Sequence, residues 1–173
     1  IEKKKQILIY GRPAVARNCF ELIAMALMQW AKQYPGSGEW SVLSLGEQHP
    51  DIDLSNGMAI KSMGKASLED YARIMMESSI GISLMVSPHP SYPPLGMAAY
   101  GVRVITNTYA NKDLGGVSSN IISLNRFGPE DIANCLGRLA DEYDKQPLFD
   151  GLDEYIDGGK TLVHICKEID GLV

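Results

Sequence analysis

Two arginines five residues apart, Arg12 and Arg17, stand in the segment Gly11-Arg12-Pro13-Ala14-Val15-Ala16-Arg17-Asn18, between a short apolar run and a helix-period run. A guanidinium is planar, permanently charged and shaped to grip phosphate oxygens with a fork of N–H donors. A helix start adds free amides and the positive end of a dipole. That combination suits a diphosphate clamp; the competing account is two solvated loop arginines. A second segment, Ser87-Pro88-His89-Pro90-Ser91-Tyr92-Pro93-Pro94, places four prolines within seven residues. Each ring fixes φ, so the backbone is held stiffly while it presents His89, Ser91 and Tyr92. The third, Ser62-Met63-Gly64-Lys65, has a glycine that lets a flat base approach the backbone and a lysine that can reach a phosphate, or it is a plain strand-to-helix turn. The fourth, Thr106-Asn107-Thr108-Tyr109, is polar and turn-prone without a specific chemistry.

Other chemistries lack their signatures. The first loop is neither a G-x-G-x-x-G turn nor a Walker loop, and no G-x-S-x-G elbow or paired carboxylates occur. His89 has no second ligand at metal spacing, so no metal site is expected. Cys19, Cys135 and Cys166 are odd in number, far apart and set in helical patterns, as small buried hydrophobes of a reducing compartment are. His49 and His164 lack partners at catalytic spacing. Lys3-Lys4-Lys5 reads as a solvated tail, the eight Met as core filler, and Trp30 and Trp40 as packing around the end of the first helix.

The elements that must position these loops are legible in the periodicity. Strands are predicted at Ile7-Leu8-Ile9-Tyr10, Ser41–Leu45, Met58–Met63, Ile80–Val86, Val102–Thr106 and Ile121–Leu124, the run Ile80–Val86 being apolar enough for a central parallel strand. Helices are predicted from Asn18, with Glu21 as its capping partner, to Pro35; from the capping box Ser67-Leu68-Glu69-Asp70; from about Pro94 to before Gly101; from Pro129 to about Tyr143; and over Gly159–Ile169. Gly46–Gly57 reads as a surface loop. Strands alternating with helices imply an α/β fold, a Rossmann-like parallel sheet with helices on both faces, where ligands bind at the carboxyl ends of the strands. The 173 residues make one such domain, with a core over 6–143 and an extension over 144–173. Hydrophobic residues at 45%, charged at 21%, and 17 Gly with 9 Pro exclude a disordered, collagenous or coiled-coil chain. A net charge of −5 speaks against a nucleic-acid binder, and no run is long enough to span a membrane. The first residue is not Met, which is expected of an excerpt whose partner domain lies elsewhere.

Taken in order, these loops resemble the carboxyl-terminal, nucleotide-sugar-binding half of GT-B-fold glycosyltransferases. The resemblance rests on Gly11-Arg12 at a strand end with Arg17 opening the next helix, Gly64-Lys65 before the capped Ser67, and Pro93-Pro94-Leu95-Gly96-Met97-Ala98-Ala99-Tyr100-Gly101-Val102-Arg103-Val104-Ile105. The Pro-rich loop looks closest to bacterial rhamnosyltransferases of surface-glycan synthesis. The resemblance implies one half of a GT-B fold in a cytoplasmic enzyme, with dTDP-L-rhamnose as donor substrate and no cofactor. Arg12 and Arg17 would neutralise the leaving diphosphate. Gly11, Met63, Gly64, Lys65, His89, Ser91, Tyr92, Pro94, Leu95 and Gly96 would line the donor site. A glycan acceptor would be held by an amino-terminal half, so the isolated domain is expected to bind and not to transfer; peripheral membrane association would come through the full-length protein. Gly96 stands where the family carries a glutamate, and Pro88 stands at the other frequent glutamate position. A non-catalytic nucleotide-binding or structural module is therefore the alternative. A receiver-like domain, which needs an acidic cluster at strand ends, fits poorly with a strand ending Tyr10-Gly11-Arg12.

Overall fold

Alternation along the first strand decides the layering of the domain. In the computed structural model, which describes residues 2–89 and 91–145, β1 (Lys4–Gly11) turns Ile7 and Ile9 into one core and Leu8 into another. The first core is closed by α1 (Phe20–Gln33) and α4 (Pro129–Lys145), through Ile23, Leu27 and Trp30 on one helix and Ile132, Leu136 and Leu139 on the other. The second is closed by α2 (Leu68–Glu77) and α3 (Tyr92–Ala99), through Ile74, Met75, Met97 and Ala98. Successive strand side chains point to opposite faces, so one strand serves both layers.

Between the layers runs a seven-stranded sheet. With β2 (Ser41–Gly46), β3 (Ile52–Asp53), β4 (Ala59–Gly64), β5 (Ser78–Ile82), β6 (Arg103–Asn107) and β7 (Ile121–Leu124), its order is β3-β4-β2-β1-β5-β6-β7. Every pairing is parallel except the short antiparallel edge β3–β4. The chain winds outward from β1 through β2 to β4, then returns to β5 on the other side of β1. The strand order therefore reverses between β1 and β5, which opens a crevice above their carboxyl ends. Gly81 lets α3 close on β5 there: a Cβ on it would stand 2.7 Å from Met97 Sδ and 3.1 Å from Val102 Cγ1.

Several local expectations are corrected. The first helix starts at Phe20, with Cys19 in the left-handed region at φ 52° and no side-chain cap. Asn18 is buried and spends its amide on Leu84 O at 3.3 Å, so it does not cap with Glu21. The strand expected to reach Val86 ends at Ile82. α3 begins at Tyr92, two residues before the expected start, so Tyr92 and Pro93 lie in its first turn and not in the loop, while Pro94, Leu95 and Gly96 lie in the helix as expected. The lysines at the start are no solvated tail: Lys4 and Lys5 lie in β1, and buried Lys3 donates to Met75 O at 3.1 Å and Tyr100 O at 2.5 Å. The stretch Gly46–Gly57 contains β3 and ordered contacts described below. Other expectations hold. Ser67 accepts from the amide of Asp70 at 3.1 Å, and Trp30 packs edge-on to Trp40 at 6.2 Å. The terminal helix expected over 159–169, with Cys166 and His164, lies outside the described residues.

Candidate functional site

Parallel pairing brings the loops after β1, β4, β5 and β6 to one edge of the sheet. Register sets their level: Gly11 pairs with Gly46, Leu45 with Gly64 and Ile9 with Ile82. At the end of β1, residues 12–19 fold into a turn and one 3-10 turn, with Val15 N–H donating to Arg12 O, Asn18 N–H to Val15 O and Cys19 N–H to Ala16 O at 2.9–3.0 Å. Arg12 is half-buried and Arg17 exposed, one on each side of the turn that leads into α1. The Arg12 stem lies over Gly46, where a Cβ would meet Arg12 Cγ at 3.1 Å and Gly11 O at 2.8 Å. Among the described residues neither guanidinium has a carboxylate partner, although the ion pairs Lys4–Glu77, Lys5–Asp144 and Arg103–Glu142 form elsewhere. Two cations outside any ion pair among the described residues, beside the amino end of a 14-residue helix whose first turn also carries Glu21, make a candidate anion site. Glu47 uses its carboxylate to accept from Ala14 N–H at 3.1 Å.

The segment after β5 is extended and bonded on both sides. Ser83 N–H donates to Ile105 O and Thr106 Oγ1 to Ser83 O; Leu84 O receives Asn18; Met85 N–H donates to Asn107 Oδ1 at 2.8 Å. Met85 O accepts from Asn107 Nδ2 at 3.2 Å and from Lys112 Nζ at 2.6 Å. Val86 N–H then donates to Arg17 O at 2.8 Å, tying this segment to the arginine loop. Beyond it His89 is exposed and its ring lies edge-on to Tyr92 at 6.2 Å. Tyr92 is 75% exposed; Ser91 and Pro94 are buried, with Ser91 Oγ lacking a hydrogen-bond partner; Leu95 and Gly96 are half-buried. A Cβ on Gly96 would meet nothing within 4 Å, so that position borders open space.

After β4, Met63 and Lys65 are exposed and Gly64 takes φ +59°, a region that favours glycine. The space beside its α-carbon is filled by Gln48, whose Oε1 would be 2.6 Å from a Cβ there. Leu68, the first residue of α2, is 83% exposed beside this turn.

Sequence reasoning missed a group of partners around these loops. His49 is held from three sides: Nδ1 donates to Pro50 O at 2.7 Å, which leaves Nε2 to accept from Ser44 Oγ at 2.8 Å in the neutral ring. Its amide donates to Ser62 Oγ at 3.0 Å and its ring lies 4.7 Å from that of Phe20, the first residue of α1. Lys112 was also missed, as were the bonds to Met85 made by Asn107, a residue expected only in a polar turn without a specific chemistry. Burial lowers the Lys112 pKa and raises that of the Cys19 thiol, each also feeling the other's charge. No pattern marks Lys112 in the sequence; its burial follows from a turn closed by Tyr109 and Lys112, with Ala110 at φ 51°. Among the described residues no three His, Cys, Asp or Glu side chains cluster to hold a metal, and no helix is long and apolar enough to cross a membrane.

Comparison with known proteins shows the family to which the chain belongs. The chain is 36% identical over 103 residues to the O-antigen biosynthesis protein RfbC of Myxococcus xanthus, a match covering 59% of this chain and 8% of that protein. Its fold is similar to that of a chain in the crystal structure of a GtfA/B complex, with a TM-score of 0.56 at 13% identity, over 94% of this chain and 36% of the other. The chain thus spans a small part of either. Residues 5–137 match the family described as WsaF, C-terminal domain, a range running from β1 into α4 and containing every loop described above. The chain belongs to this family, a carboxyl-terminal domain of the GT-B glycosyltransferase type.

Proposed function

We propose that this domain binds the donor of a glycosyl transfer, a nucleoside-diphosphate sugar whose sugar is rhamnose and whose nucleotide is dTDP. One observation carries the reading: the half-buried Arg12 and exposed Arg17 flank the entry to α1 without carboxylate partners, at the reversal of strand order. Departure of a nucleoside diphosphate develops negative charge on the bridging oxygen. Preorganised guanidinium groups and a helix amino end stabilise that charge without a metal. Arg12 and Arg17 take this role, Met63, Gly64 and Lys65 receive the base end, and His89, Ser91, Tyr92, Pro94, Leu95 and Gly96 border the sugar and ribose. The O-antigen role named for the Myxococcus xanthus relative supports a surface polysaccharide as the product. The acceptor is held by a part of the longer protein outside this chain, in the cytoplasm where nucleotide sugars are made. The isolated domain binds and does not transfer.

Calorimetric titration with dTDP, UDP and GDP tests the reading. Binding of dTDP is expected, weakened about tenfold or more by Arg12→Ala, since a hydrogen bond to a charged group contributes about 1.5–3 kcal/mol. Absence of binding to all three, or sugar transfer by the isolated chain, would overturn it. The open space beside Gly96 favours one second reading, a module that binds weakly because the glutamate is gone. Under that reading Gly96→Glu restores affinity; under the first it leaves affinity unchanged.

A further inference from the structure

Lys112 is a buried cation with no acid paired to it among the described residues. The residue is 5% exposed, its Nζ donates to Met85 O at 2.6 Å, and among the described residues it forms no ion pair. Carbonyl oxygens stabilise an ammonium but leave its net charge uncompensated, and a methionine of similar length would be buried at lower cost. A charge retained on those terms is available to an incoming anion.

Its place in the fold says which anion. Met85 O lies one residue before Val86, whose amide donates to Arg17 O at 2.8 Å, and the Cys19 thiol that precedes α1 is close enough for its charge to act on Lys112. Lys112 therefore holds the segment after β5 at the residue next to the one that bonds this segment to the arginine loop. Between the same two loops Asn18, 1% exposed, keeps Oδ1 without a hydrogen-bond partner. Charges in a partly dry interior act over longer distances than at a surface, because less water screens them.

We propose that Lys112 is a positioning residue of the donor site: it holds the segment after β5 against Arg17, and its positive charge strengthens the binding of the diphosphate at the amino end of α1. This inference rests on the donor-binding reading above. Binding and protonation are linked reciprocally, so an anion that Lys112 favours must in turn favour the charged form of Lys112. A residue that served packing alone would not respond.

The test follows the Lys112 side chain by NMR of its 13Cε across pH 7 to 11, with and without saturating dTDP or inorganic pyrophosphate. Cys19→Ser removes from that window the thiol whose titration acts on Lys112. The midpoint is expected to rise on ligand binding, and Lys112→Met to weaken dTDP binding about tenfold for each pH unit by which the midpoint rises, with Lys112→Arg recovering most of the loss. If the wild type binds dTDP but the midpoint does not move, the inference fails and the donor-binding reading stands. If the wild type binds neither dTDP nor pyrophosphate, both fail together. The titration uses the wild-type fold, so it decides the question even where Lys112→Met does not fold.

Discussion

Gly11 and Ser44 meet so closely that no side chain fits between them: a Cβ on Gly11 would stand 2.0 Å from Ser44 Oγ and 3.0 Å from Phe20 Cε2. The contact joins the carboxyl ends of β1 and β2 just where the arginine loop departs, and Ser44 in turn holds His49. The glycine is thus required by the packing beneath the candidate site, whatever binds above it.

Two glycine-to-alanine changes separate these demands. Gly11→Ala is expected to destabilise the domain by about 1–3 kcal/mol, the usual cost of overpacking. Gly96→Ala in α3, whose Cβ meets nothing within 4 Å, is expected to stabilise it by up to about 1 kcal/mol through helix propensity. Urea denaturation of the two variants reads both signs. A neutral Gly11→Ala would show that Ser44 can move aside.

Asn18 links the two loops through Leu84 O, and its removal tests how far the site depends on that link. Asn18→Ala is expected to cost about 1–2 kcal/mol in stability and to weaken dTDP binding, because Arg17 is the preceding residue. Asn18→Asp would set a buried carboxylate, which cannot donate, against Leu84 O and should cost more. Denaturation midpoints and calorimetric affinities measure the two effects separately; equal affinity in Asn18→Ala would free the arginines from this anchor.

Local signals were legible and tertiary ones were not. Ile7, Leu8 and Ile9 announce a strand, and Ser67 announces a cap three residues before its partner Asp70, because each depends on near neighbours. Asn18 carries the same local signal as Ser67 but spends its side chain 66 residues away on Leu84. Lys3 looks solvated in a run of lysines, yet its acceptors Met75 O and Tyr100 O are 72 and 97 residues distant at the ends of α2 and α3. His49 draws Ser44, Ser62 and Phe20 from three elements, and Lys112 is buried by a turn with no distinctive composition. The arginine loop, Gly64-Lys65 and the Pro-rich stretch could be found because loops at strand ends can be placed once the strands are known.

Gly64 offers a test of the turn after β4. At φ +59° an alanine is strained, and Gln48 Oε1 occupies the place of its methyl group. Gly64→Ala is expected to cost about 1–2 kcal/mol, the strain of a left-handed non-glycine residue with some displacement of Gln48. The cost should fall in Gly64→Ala/Gln48→Ala, where only the backbone strain remains. A double-mutant cycle by urea denaturation gives the difference, and additive effects would show that Gln48 yields freely.

Lys3 predicts how stability varies with pH. Burial moves its pKa from 10.5 down to about 8, so between those values the unfolded chain holds a proton that the folded chain has released. Stability rises with pH wherever the unfolded state binds more protons, so Lys3 opposes folding most below pH 8 and ceases to do so as pH climbs toward 10.5. Lys3→Met abolishes this dependence. Other groups titrate in the same range, but they do so in both proteins and cancel in the difference. Wild-type stability measured against that of Lys3→Met is therefore expected to improve by about 1–3 kcal/mol from pH 7.5 to 10.5, since a tenfold change in proton affinity is worth about 1.4 kcal/mol. The carbonyls of Met75 and Tyr100 keep a donor in either protonation state of the wild type, so the contacts that close α2 and α3 persist through the transition. Denaturant unfolding of both proteins at half-unit steps of pH gives the curve. A flat difference would mean that those two carbonyls hold the ammonium as well as water does.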